Sequence, residues 1–213
     1  MEQTLVDLMS ARRCLSDFTS ASNVEQRKNA HNYIESFKQS SPHLLEIGFH
    51  LASSNETYDL RHFGLQLITH SIKFKWNEMN VDTKVEIKNK LMYLIGFMSQ
   101  PDVPKYFQNY LCLSLIELMK REWPQNWPTL LKELYEVSTK SPFQLSLVIL
   151  IIKYISEELV LNDDSKLPGQ RRKDISQYLN ANMEELYNYM ITNLNLTYDA
   201  LNEDMATTKS GSK

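Results

Sequence analysis

The run Trp123-Pro124-Gln125-Asn126-Trp127-Pro128 places two tryptophans and two prolines within six residues, between two long helical patterns. Proline lacks the N–H that a helix needs and clashes with the preceding turn. Pro124 is therefore predicted to stop one helix, and Pro128 to take the first position of the next. Tryptophans at such a bend are predicted to wedge between the helix pairs that meet there. A related stop lies 47 residues earlier, at Ile72-Lys73-Phe74-Lys75-Trp76-Asn77. Both read as a helix that ends in basic residues shortly before a tryptophan and a polar turn. A spacing of roughly 40–47 residues is the period of HEAT and armadillo repeats. The competing explanation is two unrelated helix ends that share a tryptophan.

The chain has only five glycines, and its seven prolines all fall between helical patterns. That placement predicts an all-α fold. The helices come in pairs. The first spans about 4–18 with Leu5, Leu8, Met9 and Leu15 apolar; its partner follows the N-cap Asn23 and carries Ala30, Tyr33, Ile34 and Phe37. Leu44 to Leu51 pairs with 57–75, where Gly64 permits close approach of a neighbour. A stripe of Ile87, Leu91, Leu94, Ile95 and Met98 opens the third pair. A proline-bounded turn at 101–104 leads to its partner, 105–121. The fourth pair is 129–137 and 143–159, and the latter, apolar nearly all round, is expected to be the most buried helix. After a polar loop, 161–169, a single long helix is expected over 170–193.

No pair can bury its own apolar face, whereas stacking the pairs buries a continuous core. The predicted fold is a right-handed superhelical solenoid of HEAT-like antiparallel helix pairs over residues 1–196, with a disordered tail over 197–213. A compact helical bundle has similarly short loops, but the alternation near 40 residues favours the solenoid. The 34-residue period and signature of tetratricopeptide arrays are absent.

With 23 Lys and Arg against 26 Asp and Glu, the net charge is −3. This is not the basic balance of a dedicated nucleic-acid binder and suits a basic protein partner at least as well. Cys14 and Cys112 are far apart and outside any metal-ligand spacing, so buried reduced thiols are expected. The first ten residues have no apolar core of a secretory signal, and the stretch from Leu145 to Ile155 is too short to span a bilayer. His31, His43, His50, His62 and His70 form no zinc or general-base spacing, and no phosphate loop or nucleophile motif occurs. The chain reads as a non-enzyme that needs no cofactor.

Basic residues cluster at Lys73 and Lys75, at Lys84, Lys88 and Lys90, at Lys120-Arg121 and at Arg171-Arg172-Lys173. The first and third clusters sit in last helical turns, where the helix dipole favours cations, so a solvated helix end accounts for them as well as a phosphate contact does. The fourth lies in a first turn, where cations are disfavoured, and a carboxylate or phosphate partner is more plausible there. Trp76, Trp123 and Trp127 could form a surface platform or pack at repeat junctions; their junction positions favour packing.

Lys120 to Pro128 with Leu130 to Leu134, Arg61 to Gln66 with Lys73 to Asn77, and Leu167-Pro168 with Gln170 to Arg172 and Asp174-Ile175 resemble, in order, the N-terminal portion of the exportins. These are nuclear export receptors of the importin-β, or karyopherin, family. The resemblance covers roughly residues 29–194. It implies HEAT repeats, binding of the GTPase Ran in its GTP form, contact with nucleoporin FG repeats, and shuttling between nucleus and cytoplasm. The motifs are most like those of exportins whose cargo is structured double-stranded small RNA such as microRNA precursors. Exportins are several times longer, and duplex RNA is held mainly by later repeats, so RNA binding is expected only within a longer exportin. In the family the second helix of each pair lines the Ran-contacting face. Candidate contacts are Arg61, Lys73, Lys75, Lys120 and Arg121 on these helices and Arg171 and Arg172 of the first-turn cluster, with Trp76, Trp123, Pro124, Trp127 and Pro128 as the structural motif. A HEAT scaffold without Ran binding is the rival reading.

Overall fold

The computed structural model describes residues 2–97, 102–161 and 167–210. Met98, Pro101, residues 162–166 of the polar loop and residues 211–213 lie outside the described residues. Ten α-helices and no strand occur among the described residues: α1 (Glu2–Ser20), α2 (Val24–Ser40), α3 (Leu44–Ser53), α4 (Tyr58–Lys75), α5 (Val81–Phe97), α6 (Lys105–Glu122), α7 (Leu130–Ser138), α8 (Pro142–Tyr154), α9 (Gly169–Ala181) and α10 (Met183–Ser210). A 3-10 turn, Trp76–Glu78, follows α4, and a π-helical segment, Ile155–Leu161, extends α8. The chain divides into two compact units, residues 1–158 and 159–213.

Local chemistry sets most boundaries. Asn23 caps α2, its side-chain oxygen accepting from Gln26 N–H at 2.8 Å. Asn80 accepts from Thr83 N–H at 2.8 Å at the start of α5. Each satisfies an amide that the first helical turn leaves without an intrahelical partner. Pro142 stands at the first turn of α8 behind the cap Ser141. Pro128 does not play that part for α7. The helix begins at Leu130 with Thr129 as its cap, so Pro128 belongs to the preceding turn. That turn opens with a cis peptide bond between Trp123 and Pro124.

The first unit holds four helix pairs. The α3–α4 pair is antiparallel, as its contacts show: Gly48 faces Ile68, Ala52 faces Gly64, and Arg61 Nε donates to the Ala52 carbonyl at 3.2 Å. A Cβ on Gly64 would lie 2.7 Å from both the Ala52 nitrogen and the Gly48 oxygen. Only hydrogen fits there, and the two backbones touch because of it. Successive pairs then stack in parallel register. Thr4 and Arg12 of α1 bond Glu46 of α3 and Glu56 just beyond it, at 3.4 and 2.7 Å. From α4 to α6, Asp59 meets Tyr106, Thr69 meets Ser114, and the Lys73 carbonyl meets Arg121. These partners are 47, 45 and 48 positions apart, which is one repeat. A bundle with unrelated pairs has no reason to repeat one offset along two helices. The fold is a HEAT-like stack of antiparallel pairs.

The core runs through the stack as Leu51, Phe63, Leu67, Ile68, Ile72, Leu91, Phe107, Leu111, Leu115, Leu118 and Trp123, all buried. α8 is not the most buried helix, despite being apolar nearly all round. Only Gln144, Leu147, Val148 and Ile151 of it are buried, whereas α6 buries nine residues. α6 is packed by α4, α5 and α8 together, and a helix enclosed by three neighbours buries more of its circumference than its own composition indicates.

In the second unit, the expected single helix over 170–193 is two helices. They part at Asn182, whose side-chain amide donates to the Tyr178 carbonyl at 2.7 Å and whose backbone leaves helical geometry. An asparagine that bonds its own preceding turn competes with helix propagation. The interval assigned from composition to a tail, 197–213, lies partly within the backbone of α10, which runs to Ser210.

Candidate functional site

α4 and α6, the second helices of the second and third pairs, lie side by side and carry Arg61, Lys73, Lys75, Lys120 and Arg121. Near their N-terminal ends, His62 sits edge-on to Tyr106 and Tyr110, with centroids 5.5 and 4.6 Å away. Tyr106 donates its hydroxyl to Asp59 at 3.0 Å. Burial pulls the His62 pKa below its ordinary value, and the nearby Asp59 carboxylate only partly opposes this. Burial thus favours the neutral His62 ring. His70 is depressed too, by burial first and then by Lys38, against Glu35, with Lys75 and Lys73 adding to the depression.

At the C-terminal ends of the same helices, cations and carboxylates alternate. Glu117 is the centre: its Oε1 holds Lys120 at 2.8 Å and its Oε2 holds Arg121 at 3.1 Å. Lys120 also faces Glu158 at 3.8 Å. Arg121 reaches back one repeat and donates to the Lys73 carbonyl at 2.9 Å, a C-terminal carbonyl of α4 that the helix itself leaves short of a donor. Burial raises the Glu117 pKa. The Lys120 hydrogen bond and the charges of Lys120, Arg121 and Lys73 outweigh it, and the net shift is downward.

The candidate residues thus divide. Lys73, Lys120 and Arg121 gather around Glu117. Of these Lys73 is exposed, with its ammonium 5.6 Å from the Phe74 ring centre, whereas Lys120 has only 11% of its side chain exposed. Lys75 turns to the other side and donates to the Ser41 carbonyl at 3.3 Å, beyond the end of α2. Arg61 stands apart, over the rings of Tyr58 and Phe107 at 4.7 and 5.1 Å. Arg171 and Arg172, both half-buried, open α9 of the second unit. The tryptophans line the turns: Trp123 is fully buried, Trp76 and Trp127 nearly so. Trp127 Nε1 donates to Glu133 at 3.1 Å.

The acidic partners Glu117, Glu122 and Glu158 are absent from the sequence-based candidates. Glu117 was open to detection, three and four residues before Lys120 and Arg121 on one helix face. Glu122 was not, because its partners Trp76 and Lys88 lie far off in sequence. No group of three or more side chains able to hold a metal ion occurs among the described residues, and no described helix is long and apolar enough to cross a membrane.

Two families match in succession. Residues 30–96 match the importin-beta N-terminal domain, and residues 104–208 match the exportin 1-like protein family. The chain is 36% identical over 170 residues to Exportin-5 of Homo sapiens, covering 79% of this chain and 14% of that protein. It is 29% identical over 181 residues to Exportin-5 of Dictyostelium discoideum, covering 83% and 16%. It is 23% identical over 171 residues to Protein HASTY 1 of Arabidopsis thaliana, covering 80% and 14%. The chain therefore spans about one seventh of the length of these relatives. Helix pairs stacked at one repeat offset, a Trp-Pro turn at the repeat junction and two matches of one superfamily in sequence lead to a single assignment: the chain belongs to the exportin branch of the importin-β-like karyopherins and is similar to the N-terminal portion of exportin-5.

Proposed function

We propose that this chain is the Ran-GTP-contacting part of a nuclear export receptor, acting by binding and not by catalysis. The observation that carries the reading is the shared register of α4 and α6 within the span matched by the two families. It sets equivalent residues of successive repeats side by side on one face, with Lys73 exposed at its end. Such a face suits a folded protein that offers acidic and polar groups at repeat spacing. The GTP form of Ran is the expected partner, because the bound γ-phosphate orders the switch loops of a GTPase into one shape that a rigid face can select. Family membership supports the further proposals of FG-repeat nucleoporin contact, shuttling between nucleus and cytoplasm, and small structured RNA as cargo of the whole receptor. RNA belongs to a longer exportin, since Lys120 and Arg121 are already engaged by Glu117.

The same ion pairs favour the rival reading, a HEAT scaffold with no Ran binding. Calorimetry of monomeric protein against Ran loaded with GTP or with GDP separates the two. A clear preference for the GTP form is expected from these 213 residues, weaker than that of a full exportin, in which more repeats hold the partner at once. Equal affinity for the two forms would leave the scaffold as the function.

A further inference from the structure

Glu122, the last residue of α6, sits where three elements of the first unit meet. Its Oε1 accepts from Trp76 Nε1, just past the end of α4, at 3.1 Å. Its Oε2 pairs with Lys88 Nζ of α5 at 2.9 Å. Lys88 also donates to the Asn126 carbonyl inside the α6–α7 turn, at 3.0 Å, and lies 5.8 Å from the Trp127 ring centre. Lys84, one turn earlier, lies 5.4 Å from the Trp76 ring centre. The Lys88 and Glu122 side chains are 14% and 8% exposed.

A buried ion pair regains by attraction roughly what it loses in desolvation, so it adds little net stability beyond a packed apolar pair. Its demand on geometry is another matter. Hydrophobic attraction among the buried Ile72, Met119 and Trp123 is non-directional and by itself allows more than one register. A carboxylate whose two oxygens are fixed by donors from two other elements does not. A shift of one residue, about 1.5 Å along a helix, would leave a charge in the interior without its partner. We propose that the Glu122–Lys88 ion pair is a register lock within the third helix pair, fixing how α5 seats against α6 at the point where Trp76 of the preceding pair is also bound, while contributing little to stability. The lock would set the position of α5 beside the α6 face whatever partner that face binds.

The test combines thermal unfolding with pulsed electron–electron distance measurement. Spin labels go on Asn89→Cys of α5 and Lys105→Cys of α6, both exposed positions. Cys14 and Cys112 are buried, with thiols pushed up to about 11 and about 12, and stay unlabelled. Lys88→Met/Glu122→Gln removes both charges and keeps an acceptor for Trp76. This double variant is expected to melt within about 4 °C of the parent but to show a broadened label-to-label distance distribution. Lys88→Met alone strands the carboxylate and is expected to melt about 6–20 °C lower, so the double variant should be the more stable of the two. A double variant with an unchanged distance distribution would overturn the proposal. So would one that loses as much in melting temperature as the single variant, since Glu122 and Lys88 would then be a stability element.

Discussion

Trp76 and Glu122 are joined by a hydrogen bond that spans 46 positions, nearly the interval between Trp76 and Trp123. The tryptophan that ends one helix pair is thereby capped by the acid that ends the next. The indole N–H is a donor only, and in a nearly buried ring it must find an acceptor. The stack supplies one from the following repeat, which ties side-chain chemistry to the repeat period.

Trp123→Ala is expected to lower stability by about 3–5 kcal/mol, the usual range for truncating a buried tryptophan. The ring is fully buried at the junction of α6 with the α6–α7 turn. Urea unfolding followed by far-ultraviolet circular dichroism measures it. An unchanged midpoint would show that the ring contributes no packing there.

Gly64→Ala is expected to cost about 1–3 kcal/mol, the range for forcing extra atoms into a packed core. The new methyl would meet backbone atoms of α3 at 2.7 Å, which cannot swing aside. Gly169→Ala serves as the control. Nothing lies within 4 Å of its new methyl, and a change of no more than about 0.5 kcal/mol is expected. Equal melting temperatures for the two variants would contradict the close α3–α4 approach.

Acid should destabilise the fold in two windows. His62 and His70 have folded pKa values below the ordinary 6.5. The unfolded chain thus binds protons near pH 6.5 that the folded chain refuses until lower pH, and stability declines as pH falls from that point. Glu117 has a folded pKa below the ordinary 4.5, so its contribution is present above that pH and is lost as pH falls through the folded value. Glu117→Gln should flatten the lower window, and His62→Gln part of the upper one. Unfolding midpoints recorded from pH 7.5 to 3 test both; a Glu117→Gln profile parallel to the parent below pH 4.5 would refute the assignment.

Duplex RNA should bind weakly, with a dissociation constant of roughly 10⁻⁴–10⁻⁶ M at physiological salt, and without preference for a 3′ overhang. The net charge is −3, and Lys120 and Arg121 are paired within the protein. A gel-shift series with blunt and overhanging duplexes decides it, and an overhang-dependent nanomolar complex would count against the prediction.

Helix positions were legible in the sequence because they rest on short-range chemistry. Asn23 and Asn80 cap the helices they precede, the described prolines fall outside helix interiors, and the apolar stripe Ile87, Leu91, Leu94, Ile95 is the buried side of α5. Glu117 with Lys120 and Arg121 obeys the same local rule, three and four residues apart. The spacing of Trp76 and Trp123 announced the repeat. Only the tertiary structure decided the rest. Stacking brought Arg121 to the Lys73 carbonyl and Lys88 to Glu122, turned Lys75 toward Ser41, and enclosed α6 more fully than the more apolar α8. Which cations are exposed and which are neutralised depends on side chains a whole repeat away, and a helical period of 3.6 residues carries no record of neighbours at that distance.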